Sequence, residues 1–183
     1  MEAFDRNVCR TFHLDANRIN SRESLPNMNQ LEKWHENGVI QIQMSEIAQN
    51  EAARGDQNRA SKARNYIYTI TMGNTPGETQ MMQKIENILF LENAATTSER
   101  NDVEIVFNAY KYGSILVTND GASKSQPNGI LGKREELAKL GIEVMTDTQA
   151  VAVVRKLIAE RDRRVIQRAR RAGAPIPTWV GQD

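Results

Sequence analysis

The stretch DVEIVFNAYKYGSILVTND, Asp102 to Asp120, decides the fold. From Asp102 to Tyr112 its composition is helical, Gly113 stops the helix, and Ser114 to Thr118 is a run rich in branched apolar residues, as in a buried strand. A glycine at this junction lets the backbone turn left-handed, which ends a helix at little cost. After Thr118 the chain surfaces at Asn119 and Asp120 and turns polar and glycine-rich through GASKSQPNG. A helix of about 11 residues climbs ~16 Å, and five strand residues return roughly the same distance, at ~1.5 and ~3.3 Å per residue. Asp102, expected to open the helix, and Asp120, at the end of the strand, should therefore meet at one edge of a sheet.

The same helix-glycine-strand unit recurs on either side. Gly38 precedes VIQIQM (Val39 to Met44), and Gly141 precedes IEVMT (Ile142 to Thr146). TFHL, Thr11 to Leu14, is a further strand pattern, and YIYTITM, Tyr66 to Met72, reads either as the close of a helix or as an edge strand. Helical patterns cover about Met28 to Asn37, Ser45 to Ala53, Gln80 to Phe90, Leu131 to Leu140 and Thr148 to Arg171. Strand and helix in alternation predict an α/β fold with a mostly parallel central sheet and right-handed crossovers. Sites in such sheets collect at the carboxyl ends of the strands.

A chain of 183 residues suits one domain spanning 1–183, with a helix at about 148–171 and a short tail at 172–183. Lys and Arg number 24 against 23 Asp and Glu, so any attraction for nucleic acid must come from local clustering. The single cysteine, Cys9, cannot close an internal disulfide, and no Cys and His spacing resembles a structural zinc site. With no apolar leader and no run near the ~20 residues of a membrane span, a cytoplasmic protein is expected.

Four acids stand at the predicted carboxyl edge. Asp15 follows TFHL, Glu46 follows the second strand in the first turn of a helix that Ser45 can cap, and Asp102 and Asp120 bracket the opening stretch. Each has an ordinary explanation alone, since helix N-termini favour acids and turns favour aspartate. Together they would repel one another unless a cation lies among them or their pKa values rise. An all-oxygen donor set suits Mg²⁺ or Mn²⁺ better than zinc.

FHLDAN at Phe12 to Asn17, SEIAQNEA at Ser45 to Ala52, and the stretch from Asp102 through Ala109 and Gly113 to Thr118-Asn119-Asp120 together resemble a PIN-domain nuclease, over about Thr11 to Lys156. The resemblance implies a three-layer α/β/α sandwich around a parallel sheet and metal-dependent cleavage of RNA. By the same resemblance Asp15, Glu46, Asp102 and Asp120 would hold Mg²⁺ or Mn²⁺, and Asn17 and Thr118 would orient them. The family often adds a further acid or an aromatic after the last aspartate, where this chain has GASKSQ. Expected partners are RNA, an antitoxin or other protein, and a second copy in a homodimer, with no membrane. A catalytically silent PIN-like scaffold that binds RNA or protein is the alternative. A nucleotide-binding or phosphoacceptor domain is disfavoured because no glycine-rich phosphate loop follows the first strand.

The most basic segment is VRKLIAERDRRVIQRARRAG, in which Val151, Val154 and Ile158 mark the face packed on the sheet. Beyond them Arg163, Arg164, Arg168, Arg170 and Arg171 form either a solvated helix end or an arm that tracks RNA phosphates, together with Lys124 on the loop after Asp120. Arg54, Arg59, Lys62 and Arg64 are a second basic group that reads as an exposed helix or as a flank of the same groove. His13 is expected to be buried and hydrogen-bonded, and Trp179 to be an exposed aromatic that docks on the body or on a partner.

Overall fold

The computed structural model describes residues 5–54, 57–70, 75–90, 94–121 and 129–183. Five strands, β1 (Thr11–Leu14), β2 (Gln41–Ser45), β3 (Ile67–Thr69), β4 (Ile115–Val117) and β5 (Val144–Met145), form one sheet in the order β3-β2-β1-β4-β5. Every pairing is parallel, with His13 opposite both Gln43 and Leu116. Parallel strands need crossovers, and helices supply them: α1 (Pro26–Glu36), α2 (Glu46–Ala53), α3 (Gln57–Ala63), α4 (Pro76–Leu89), α5 (Thr97–Lys111), α6 (Arg134–Ala138) and α7 (Asp147–Ala172). Right-handed crossovers place α1 on one face, where α7 packs against it, and α4, α5 and α6 on the other. The result is a three-layer α/β/α sandwich.

Because both faces are covered, β4 reads as an unbroken apolar run, Ile115–Val117, buried throughout, whereas β2 nearer the edge alternates, with Gln41 and Gln43 between Ile42 and Met44. Phe12, Leu14, Ile42, Met44, Leu116 and Val117 are all fully buried. Each such side chain contributes about 1.5–3 kcal/mol relative to exposure. Trp34 of α1, Phe107 of α5 and Val154 of α7 close the layers over them.

The glycine junctions are as the sequence predicts: Gly38, Gly113 and Gly141 take φ of 71°, 59° and 80°. YIYTITM contributes β3, an edge strand ending at Thr69, and the basic stretch before it is α3. One helix start differs. Helix α5 begins at Thr97 rather than Asp102, because Thr96 accepts the Glu99 amide while the Glu99 side chain accepts the Thr96 amide, a complete capping box. Asp102 therefore lies in the second turn, on the flank of the crevice rather than at the helix tip.

Candidate functional site

Strand order reverses between β1 and β4, since β2 and β3 lie to one side and β5 to the other. The carboxyl end of that seam is the crevice where α/β sheets bind ligands. Asp15 closes β1 there, its amide bonded to the Val117 carbonyl at 3.1 Å. Its Oδ2 accepts the Thr118 hydroxyl at 2.6 Å and the Asn17 side-chain amide at 2.6 Å. The same Thr118 oxygen accepts the Asp120 amide at 3.0 Å, and Asn17 Oδ1 accepts the Asn119 amide at 3.1 Å. Asp-Ala-Asn after β1 and Thr-Asn-Asp after β4 thus interlock through side chains across the seam. Arg18 fixes the outer side, donating to Asn17 Oδ1 at 3.0 Å and pairing with Asp147 of α7 at 3.4 Å.

Asp120 is held by its neighbours. Its Oδ2 accepts the Ile130 amide at 2.7 Å, and its carboxylate lies so close over Gly129 that a Cβ there would meet Oδ2 at 2.3 Å. Gly129 has ordinary extended-side backbone angles, so what the site needs from it is space.

Charge ties these acids together. Burial first, then the charges of Asp15, Asp120, Glu51 and Glu99, push the Asp102 carboxyl up to about 7. Burial also raises Asp15, helped by Glu51 and Asp120 and opposed by the hydrogen bonds from Thr118 and the Asn17 backbone. Asp15, Asp102, Asp120 and Glu51 therefore share one electrostatic environment at the switch point.

Glu46 is not among them. It is exposed in the first turn of α2, beside the Tyr68 hydroxyl of β3, a phenol raised by burial and then by Glu46. Glu51, on the same helix, faces the crevice and accepts a hydrogen bond from Asn101 of α5. Five residues at 3.6 per turn separate the two by roughly 140° around the helix, so α2 presents only one of them inward. The signal was in the sequence: Ala48 and Ala52, both fully buried, mark the inward stripe of α2, and Glu51 adjoins it whereas Glu46 does not.

The donor set is wholly carboxylate, which suits a hard divalent cation. Among the described residues, no group of three or more His, Cys, Asp and Glu side chains is arranged so that it could hold an ion directly. These residues therefore fit an ion taking one or two carboxylates with water completing its shell, the usual habit of Mg²⁺, and do not fit a fully caged one.

No family model matches the chain, and no curated protein matches it. A similar solved structure is the crystal structure of VapBC2 from Rickettsia felis bound to a DNA fragment from their promoter. It is 18% identical, covers 74% of this chain and 98% of its own, and has a TM-score of 0.45.

His13 lies one strand-face position before Asp15 and is fully buried, but neither ring nitrogen has a hydrogen-bond partner. The expectation of a hydrogen-bonded histidine is thus corrected. Burial lowers its pKa to about 4, so the ring stays neutral inside the sheet layer.

The basic residues divide between the two edges. Arg59 of α3 reaches the crevice, donating to the Ala16 carbonyl at 2.7 Å directly after Asp15. Arg163, Arg164, Arg168, Arg170 and Arg171 are exposed but sit far along α7. Asp147 at the start of that helix is at the acid edge, and Arg168 lies 21 residues on, or ~31 Å at 1.5 Å per residue. The arginine run therefore does not border the acids. Lys124 lies outside the described residues. Trp179 docks on the body, its ring 4.7 Å from the Arg161 guanidinium. Among the described residues no helix is long and apolar enough to cross a membrane.

Proposed function

We propose that the chain is a metal-dependent endoribonuclease of the PIN type that hydrolyses RNA phosphodiester bonds in the crevice between β1 and β4. The observation that carries this reading is the Asp102 carboxyl, pushed up to about 7 by burial and by Asp15, Asp120 and Glu51. A carboxyl lifted by burial and then further by neighbouring acids is what a site accepts when a cation is meant to relieve it. Asp15, Asp102, Asp120 and Glu51 would hold Mg²⁺ or Mn²⁺, directly or through its waters. Such an ion, when bound, supplies a water of lowered pKa and positive charge beside the phosphate oxygens.

The chain's own groups do the rest. Thr118 and Asn17 keep Asp15 Oδ2 in place, the Ile130 amide keeps Asp120 in place, and Arg59 sets a cation at the rim where a phosphate would approach. Glu46 takes no part in this reading. An RNA substrate, a cytoplasmic setting and an antitoxin-like protein or a second copy as partner belong to the same proposal.

A second reading, a silent PIN-like scaffold, is favoured by one observation: no three described acids are arranged to ligate directly. Incubating single-stranded RNA with the protein in Mg²⁺ or Mn²⁺, beside Asp102→Asn and an EDTA control, separates the two. Cleavage lost in both controls supports the nuclease. Cleavage unaffected by either overturns the metal site, and absence of cleavage in the wild-type protein selects the scaffold.

A further inference from the structure

A groove of about 760 Å³ lies between the N-terminal segment and the last turns of α7. Asp5, Asn7 and Cys9 form one wall, and Arg164, Arg168 and Arg171 form the other. The N-terminal segment runs into the start of β1, where Val8 donates to the Val39 carbonyl at 2.8 Å, whereas Asp15 stands at the end of that strand. The groove and the acid crevice are therefore on opposite edges of the sheet.

The groove is a built feature. Arg161, buried at its floor, bonds Asp162 and Asp183 and donates to the Arg6 carbonyl, while its guanidinium stacks on Trp179. That one residue ties the N-terminal segment and the C-terminal tail to α7, which fixes both walls. Arg164, Arg168 and Arg171 follow each other at intervals of four and three residues, so they form one stripe down a single helix face. Arg163 and Arg170 are also exposed but do not line the groove.

We infer that this groove binds the phosphate backbone of single-stranded RNA, as a site separate from the acid crevice. A row of guanidiniums on a fixed helix matches a regularly spaced row of phosphates. An acidic protein surface would want an apolar or aromatic centre to dock on, and among the described residues the groove offers only Val8, Val165 and Ala172 as apolar lining. Trp179 is engaged by Arg161, and among the described residues the groove lining presents no ring for base stacking, so its recognition is of phosphates rather than of sequence. The inference stands whether or not the acids cleave.

The test is fluorescence anisotropy of a labelled single-stranded RNA in EDTA, where no cleavage competes, over a range of salt. The triple variant Arg164→Ala, Arg168→Ala, Arg171→Ala should lose at least about tenfold in affinity, and its log-log salt slope should shrink by about 2, three phosphate contacts at ~0.7 each. The triple lysine variant should retain most of the binding, and Arg163→Ala with Arg170→Ala should bind within about threefold of wild type. Because the measurement is made in EDTA, its outcome does not depend on cleavage at the acid crevice, which separates this site from the nuclease reading. Wild-type affinity in the triple alanine variant overturns the inference. So does an equal loss in the Arg163 and Arg170 variant, which would make the effect one of bulk charge. Tighter binding of a polyglutamate peptide than of RNA would overturn it in favour of an acidic protein.

Discussion

The Thr118 hydroxyl donates to Asp15 Oδ2 at 2.6 Å across the seam between β1 and β4, and the same oxygen receives the Asp120 amide at 3.0 Å. One side chain thus couples the two aspartates that end adjacent strands. Thr118→Val keeps the shape and removes both bonds together with the one it accepts from Asn17 at 3.2 Å, leaving a buried carboxylate short of a donor. The expected cost is about 1–3 kcal/mol in urea unfolding, with Thr118→Ser losing much less.

Asp102 sets the pH response of the metal-free protein. A carboxyl raised to about 7 on folding contributes stability that is fully present below about 4 and is lost as pH rises through about 7. Asp15, also raised, acts in the same sense. In EDTA this contribution lowers stability at pH 8 relative to pH 5. Buried His13, lowered to about 4, acts in the opposite sense as pH rises toward 6.5, so the pH 5 to pH 8 difference is compared between wild type and variant. Asp102→Asn should flatten that difference by about 1–2 kcal/mol, allowing for screening at a partly open edge. A change from pH 5 to pH 8 that is the same in Asp102→Asn as in the wild type would contradict the assignment.

Glu51 and Glu46 offer a direct contrast on one helix. Glu51→Gln should lower RNA cleavage by about tenfold or more, since it removes an acid coupled to both Asp15 and Asp102. Glu46→Gln should change it less than about twofold, because that side chain faces Tyr68. Initial rates for the two variants in Mn²⁺ decide between them, and the reverse ranking would restore Glu46 to the site.

Gly129 is constrained by space. A Cβ there would fall 2.3–2.6 Å from the Asp120 carboxylate atoms, so Gly129→Ala must push that carboxylate aside and strain its bond from Ile130. Cleavage should fall by about tenfold or more while stability changes by only about 1 kcal/mol. Rates and urea unfolding on the same preparation check the split.

The alternation of helix, glycine and strand made the sheet legible before any coordinates, because each of Gly38, Gly113 and Gly141 marks a left-handed turn that few other residues accept. Asp15 and Asp120 were legible for a related reason: strand ends are set by where apolar runs stop. Helix-borne residues were harder, since their direction depends on rotation about the helix axis. Glu46 drew notice through its cap at Ser45, yet the buried Ala48 and Ala52 show that the inward acid is Glu51. The start of α5 is set by Thr96 and Glu99 as a capping box, five residues ahead of the acid that opens the apolar pattern. The arginine run was legible as a basic helix face, but its distance from the acids follows from the length of α7 and from the edge at which it begins. For Arg59 the sequence leaves two readings open, an exposed helix or a flank of the groove, because its contact with Ala16 depends on how α3 packs beyond α2.

The central claim is that Asp15, Asp102, Asp120 and Glu51 form one divalent-cation site. Titrating Mn²⁺ into the metal-free protein at pH 8 by calorimetry tests it most directly, with Asp102→Asn and Glu46→Gln alongside. The account predicts one saturable site in the wild-type protein, weakened at least about tenfold by Asp102→Asn and unchanged by Glu46→Gln. Equal Mn²⁺ affinity in wild type and Asp102→Asn, or no saturable binding in the wild type, would contradict it.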